Sequence, residues 1–342
     1  MWDLFKQQAN RYLDRGSYRL VASRQEATDL SSFDCVVLGG GSLITPSYIS
    51  LLYQAMKLNK AIYIWGTGID KMAADQGLDC LLGQKPIPPD LVSPETTYKI
   101  AEIVNNARFA AVRGPLSCSF LKSLGVDTTK VRISGDPAFM LKPEDAAYRL
   151  YDQHLPQDEP IVGLNWGTAH NQIYGGNEAI VEDHLAAAAK LLIHKGYSIL
   201  MYVVWPEDIP ASRRLLQKIS RPGKVHLLEA VYPYQLMSVI KKCKLTINFK
   251  LHANILSAVM RVPFVALGYR FKTFDFASSI SMLPYVISTD APLAHKEVIR
   301  LFEEIEANRS DLINTMDNQL RLYDGILSES FFNQLPGQGG AI

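Results

Sequence analysis

Between Leu245 and Phe276 the chain reads LTINFKLHANILSAVMRVPFVALGYRFKTFDF, and this stretch restricts the fold more than any other. Leu245 to Phe249 is a short apolar run of the kind that fills a buried strand. Ile255, Leu256, Val259 and Met260 then recur at helical spacing, so a helix is expected from about Ala253. Val262 to Leu267 is a second apolar run, and it leads into Gly268-Tyr269-Arg270-Phe271-Lys272. Lys250 and His252 therefore fall at a strand-to-helix corner, and Lys272 at a second basic corner soon after. In open α/β sheets such corners, at the carboxyl ends of strands, are where ligands bind, and a helix N-terminus adds donors and partial positive charge suited to an anion. Taken singly, each of the three also fits a solvated lysine or a hydrogen-bonded structural histidine; their joint placement favours a site.

The same strand, corner, helix order recurs along the chain. Phe33 to Leu38 is a strand ended by Gly39-Gly40-Gly41-Ser42, and Ala61 to Trp65 is another ended by Gly66-Thr67-Gly68. Glycines at strand ends let a ligand, or a neighbouring segment, approach the backbone N–H groups closely. The spacing does not match G-x-G-x-x-G, so a tight structural turn fits the feature as well as an anion cradle does. Phe109 to Val112 places Arg113 at a third strand end, Pro115 suits the first turn of the next helix, and Val131 to Ile133 is broken by Ser134-Gly135-Asp136-Pro137. Before these, a helix is expected from Trp2 to Leu13, a weak strand from Arg19 to Ala22 and a short helix from Gln25 to Leu30.

A chain of 342 residues exceeds the length at which one core usually keeps growing. Leu150 to Pro160, with Asp152, Asp158, Glu159 and two prolines, is the natural linker. The pattern restarts at Ile161 to Trp166, followed by the polar loop Gly167 to Asn177 with His170, and continues through strands near Ser198 and Val225 to the stretch described above. The expected fold class is α/β, with two facing Rossmann-like doubly wound domains over 1–150 and 158–300. Helices over 301–335 are placed to pack back on the first domain, and the tail Gly337 to Ile342 is expected to be disordered.

Composition narrows the function classes. A formal net charge of +1 argues against a protein built to coat nucleic acid. Four cysteines, Cys35, Cys80, Cys118 and Cys243, lie far apart with no C-x-x-C pair, so neither a metal site nor a disulfide framework is expected. No apolar run is long enough to span a membrane, and Met1 to Arg19 does not read as a signal peptide. The expectation is a cytoplasmic protein with no integral membrane segment. The sequence leaves the oligomeric state open.

The motifs VVLGGGSLI (36–44), IWGTGI (64–69), AVRGPLSCSFLKSLGV (111–126), GDPAFML (135–141) and NFKLHANILSAVMRVPFVALGYRFKTFDF (248–276) together resemble the polysaccharide pyruvyl transferase family, in the right order. The resemblance implies a GT-B-like fold and an enzyme that moves the enolpyruvyl unit of phosphoenolpyruvate onto a sugar, leaving a pyruvyl ketal. It implies no cofactor beyond that donor, a saccharide or lipid-linked saccharide acceptor from cell-wall or exopolysaccharide synthesis, and a place for peripheral work at the inner membrane face. By the same resemblance Arg113 grips phosphoenolpyruvate. Lys250 and His252 fall on the family's R-x-H pair, with the histidine as the acid. Two departures stand out. Lys250 replaces an arginine, trading a bidentate fork for a point charge. Nothing before Phe33 matches the family's opening strand and glycine- and asparagine-containing loop.

The expected site therefore joins the catalytic set His252, Arg113 and Lys250 to a substrate-binding set of Gly39, Gly40, Gly41, Ser42, Gly66, Gly68, Asp136, His170 and Lys272. Asp136 and His170 are candidates to position the sugar hydroxyl, though Asp136 also fits a turn and His170 plain loop. Two other readings stay open: a nucleotide-sugar glycosyltransferase in which Gly167 to His170 faces the diphosphate, and a non-catalytic binding protein on the same fold.

Overall fold

A computed structural model of the chain describes all residues except 15, 17, 23–28, 71–78, 81, 84, 86–91, 143–158, 230–232 and 337–342. The chain divides into two compact units, Met1–Met140 with Gln319–Ile342, and Leu141–Asn318. Most of the expected linker, most of the expected helix from Gln25 and the whole C-terminal tail lie outside the described residues. Arg19 to Ala22 forms no strand, and the next element among the described residues is the 3-10 turn Leu30–Ser32, capped by the Asp29 carboxylate.

Among the described residues the first unit holds four parallel strands, β1 (Cys35–Gly39), β2 (Ala61–Thr67), β3 (Phe109–Val112) and β4 (Val131–Ile133). Their order, β1-β2-β3-β4, runs in one direction across the sheet. The chain re-enters this unit at Gln319, within the helix Arg309–Leu327, and its end packs on the sheet. Trp65 donates its indole N–H to the Leu327 carbonyl at 2.8 Å, and Tyr63 its hydroxyl to Gln334 at 2.7 Å. Phe331 stands 5.4 Å from the Trp65 ring and 5.3 Å from that of Phe109. Trp65, Phe331 and Phe332 are fully buried, each stabilising the fold by about 1.5–3 kcal/mol through burial alone. The helical run 301–335 is thus divided: the helix Ala294–Ala307 packs on Glu178–His194 within the second unit.

Among its described residues the second unit holds six parallel strands, β5 (Ile161–Asn165), β6 (Ser198–Tyr202), β7 (Val225–Leu228), β8 (Cys243–Asn248), β9 (Phe264–Gly268) and β10 (Val286–Ser288). Their order is β10-β9-β8-β5-β6-β7. The chain winds outward one way from β5 through β7, then returns to lay β8 beside β5 and winds the other way. The topological switch lies between β5 and β8, where Asn165 is in register with Asn248. Loops leaving a switch point diverge to opposite faces of the sheet and open a crevice at the strand ends. Cys80 and Cys243 are core residues while Cys35 and Cys118 are half-buried, and burial pushes the Cys243 thiol up to about 12.

Where the helices Glu178–His194 and Ala294–Ala307 meet, Nδ1 of His184 lies 3.0 Å from Nδ1 of His295. Such a contact needs one donor and one acceptor, so it holds a single proton. Burial, then the neighbouring His295, lowers the His184 pKa, with Asp183 opposing. A histidine whose folded pKa lies below its unfolded value binds fewer protons when folded, so its contribution is present above about pH 6.5 and lost as pH falls through the folded pKa. The melting temperature is expected to drop between about pH 7 and pH 5, and to drop less in a His295→Gln variant. A pH profile identical in the two proteins would remove the pair from that account.

Candidate functional site

In the first unit the glycine corners are tied to one another. Gly40 N–H donates to the Trp65 carbonyl at 2.9 Å, Gly68 N–H to Gly41 at 3.2 Å, and Leu43 N–H to the Thr67 hydroxyl at 3.0 Å. Gly66 has φ +63, and a Cβ there would meet Pro137 at 2.6 Å, so this turn admits only glycine without rearrangement. Arg113 pins the arrangement. Its Nη1 donates to the Gly41 carbonyl at 3.0 Å and to Ser42 Oγ at 3.1 Å, and its Nη2 to the Ile69 carbonyl at 3.1 Å. The side chain is fully buried, and a Cβ on Gly68 would sit 2.8 Å from its Nη2. The structure thus brings Gly39 to Ser42, Gly66, Gly68 and Arg113 together, with the arginine as the peg of the corner. Asp136 is buried and accepts from Ala138 N–H at 3.0 Å, the geometry of a turn residue.

In the second unit Lys250 follows β8 and caps the helix Leu251–Val259. Its backbone N–H donates to Asn165 Oδ1 at 2.9 Å, which ties the β8 corner to the β5 corner across the switch point. Its Nζ, on a side chain 14% exposed, reaches the Thr168 carbonyl at 2.6 Å and Asp208 Oδ1 at 3.0 Å. Asp208 also accepts from Thr168 N–H at 2.9 Å, and a Cβ on Gly167 would fall 2.3 Å from the Asp208 carboxyl carbon. Desolvation raises the Asp208 pKa, opposed by Thr168 N–H and by Lys250. Glu178 takes Asn171 N–H at 3.1 Å, Ala169 N–H at 2.5 Å and the Thr168 hydroxyl at 2.8 Å, while His170 N–H goes to Thr168 Oγ1 at 2.9 Å. Two buried carboxylates therefore occupy the N–H groups of Thr168, Ala169 and Asn171, and the Thr168 hydroxyl takes that of His170. This loop is filled from within, which counts against its serving as a diphosphate cradle. His170 itself sits at φ 54 with its side chain exposed.

The far end of the loop reaches the second basic corner. Tyr174 N–H donates to the Tyr269 carbonyl at 3.2 Å, and Arg270 Nε to the Gln172 carbonyl at 3.1 Å. Arg270 caps the helix Phe271–Ser279, with its charge 5.5 Å and that of Lys272 5.3 Å from the Tyr269 ring. Neither Lys250 nor Arg270 makes a side-chain capping bond, because neither has an acceptor to offer. At the ends of adjacent strands β8 and β9, two helix N-termini thus carry cations where the dipole is already positive, an arrangement suited to an anion. His252 lies exposed on the first turn after Lys250, and the Trp205 ring meets it at 5.3 Å and 84°.

Asp208, Glu178, Asn165, Trp205 and Arg270 escaped the sequence reading. The first three are ordinary polar residues until the fold folds them under the loop. Trp205 had a signal, a large aromatic beside a proline just past a strand, and Arg270 another, as a cation between Tyr269 and Lys272. Among the described residues no group of three His, Cys, Asp or Glu side chains is placed to hold a metal, and no described helix is long and apolar enough to cross a membrane.

Solved structures share this architecture at low identity. UDP-GlcNAc 2-epimerase from Neisseria meningitidis bound to UDP-GlcNAc superposes with a TM-score of 0.54 at 12% identity, over 86% of this chain and 76% of that one. MnaA of S. aureus with UDP gives 0.51 at 17%, over 82% and 77%. The glycotransferase of kitacinnamycin gives 0.51 at 13%, over 85% and 74%. These likenesses show the GT-B type of fold, two α/β units each built on a parallel sheet. The family model described as polysaccharide pyruvyl transferase matches residues 3–270, which take in the first unit's glycine corners, the Lys250–His252 corner and Arg270. On that match, the chain belongs to the polysaccharide pyruvyl transferase family.

Proposed function

We propose that this transferase takes phosphoenolpyruvate as donor and forms a pyruvyl ketal on a saccharide of a cell wall or exopolysaccharide. The observation that carries the reading is the pair of cation-capped helix N-termini beside the switch point, with His252 exposed on one of them. Carboxylate and phosphate together bring about three negative charges near neutral pH. Lys250, Lys272 and Arg270 are the groups we assign to them. Lys250 already shares its charge with Asp208, and Lys272 and Arg270 add two further cations at the neighbouring corner.

The chemistry asks for one proton in and two out. His252 gives its proton to the methylene carbon, which becomes the methyl group, and a sugar hydroxyl adds to C2. Phosphate then leaves and the second hydroxyl closes the ketal. Of the two hydroxyl protons released, one restores the histidine and the other leaves on phosphate.

Calorimetry with phosphoenolpyruvate tests the donor. Lys272→Ala is expected to weaken binding by about 1.5–3 kcal/mol, the worth of a charge-assisted contact. Unchanged affinity would remove Lys272 from the site, and no phosphoenolpyruvate-dependent phosphate release with cell-wall or exopolysaccharide acceptors would favour the non-catalytic reading. The nucleotide-sugar reading gains nothing from loop 168–171, whose donors already have acceptors.

A further inference from the structure

We infer that Trp205 is the platform on which the acceptor sugar lies, placing a pyranose ring against its face beside His252. The inference rests on the pyruvyl transfer reading above for its acceptor, and on four observations for its place.

Of the four tryptophans, Trp65 and Trp166 are fully buried with their indole N–H groups bonded to Leu327 and Glu182. Trp205, by contrast, is 45% exposed. An indole left in water at a ligand site offers a flat apolar face, with negative charge density that attracts the polarised C–H bonds of a pyranose. It stands three residues past the end of β6, so it belongs to the same edge of the sheet as the corners of β5 and β8.

The mount is rigid. Pro206 begins the turn Pro206–Asp208, Asp208 N–H donates to the Trp205 carbonyl at 2.9 Å, and the Asp208 carboxylate is itself clamped by Lys250 and Thr168. The same aspartate that holds Lys250 therefore also sets the tryptophan. The ring meets His252 at 5.3 Å and nearly perpendicular, so a sugar lying on Trp205 would have its hydroxyl edge beside the imidazole. Glu207, exposed next in the chain, is an acceptor suited to hydroxyl groups. An acceptor so placed meets the donor where the proton is given.

The test measures intrinsic fluorescence and calorimetry with methyl β-galactopyranoside, methyl β-glucopyranoside and methyl glycosides of the N-acetylhexosamines, without phosphoenolpyruvate. Wild type, Trp205→Phe and Trp205→Ala are compared, with melting temperatures recorded for each. At least one glycoside should quench the wild-type emission. Trp205→Ala should lose at least tenfold in affinity for it with melting temperature and phosphoenolpyruvate affinity kept, and Trp205→Phe should retain most of that affinity. Equal glycoside affinity in wild type and Trp205→Ala, or no binding by any of the panel to wild type, would overturn the platform. If glycosides bind as expected but no phosphate is released from phosphoenolpyruvate, the donor reading fails and the sugar subsite stands.

Discussion

His252→Ala is expected to lower turnover with phosphoenolpyruvate by roughly 100-fold or more while leaving the donor bound, because the anion contacts belong to other side chains. The imidazole is exposed on the first turn of its helix, so its removal should change stability by no more than about 0.5 kcal/mol. His252→Gln keeps the size and a hydrogen bond but cannot deliver the proton, and should not rescue turnover. Solvent deuterium should appear in the product methyl group of the wild type. A histidine that only supported the fold would show the reverse: a lower melting temperature with turnover per folded molecule preserved. Normal turnover in folded His252→Ala would end its assignment as the acid.

Arg113→Ala is expected to act on the fold first. The guanidinium is fully buried and supplies donors to the Gly41 and Ile69 carbonyls and to Ser42 Oγ, so deleting it removes three hydrogen bonds and opens a cavity against the glycine turns. A loss of about 1.5–3 kcal/mol or more in denaturant unfolding is expected, the worth of a hydrogen bond made by a charged group. Arg113→Lys should recover only part, since one ammonium cannot reach all three sites. A side chain whose duty was to grip the donor would give another pattern: stability kept and phosphoenolpyruvate affinity weakened. That second outcome would return Arg113 to the ligand contacts inferred from the family motif.

Strand and helix positions were legible wherever an apolar run had a sharp end. The helix predicted from about Ala253 starts at Leu251, that predicted over Trp2 to Leu13 covers Trp2–Tyr12, and β2 and β5 fall on their predicted runs. Arg19 to Ala22 misled because it has β-forming residues but no alternation and no partner strand, and strand propensity is realised only in a sheet. The family motifs were legible too, since each is a short run whose residues follow one another in sequence.

The roles of the site residues were less legible, for a reason of distance along the chain. Sequence placed Arg113 at a strand end, but only the packing of the glycine corners shows its guanidinium turned inward onto Gly41 and Ile69. It placed Gly167 to His170 in a loop rich in donors, but the acceptors that fill them, Asp208 and Glu178, lie up to 40 residues further on. Nothing local marks either carboxylate as belonging to that loop.

What the sequence determined by itself was the order of elements, the basic corners after β8 and β9, and the family, because these depend on neighbours in the chain: apolar period, glycine and proline at the ends, and contiguous motifs. The tertiary structure decided which strands lie side by side, and with that the switch point between β5 and β8, where Lys250 meets Asp208 and Trp205 meets His252. Strand order in a parallel sheet is settled by which apolar faces bury best against each other after the crossovers form, so the crevice and its partners exist only once the whole unit has packed.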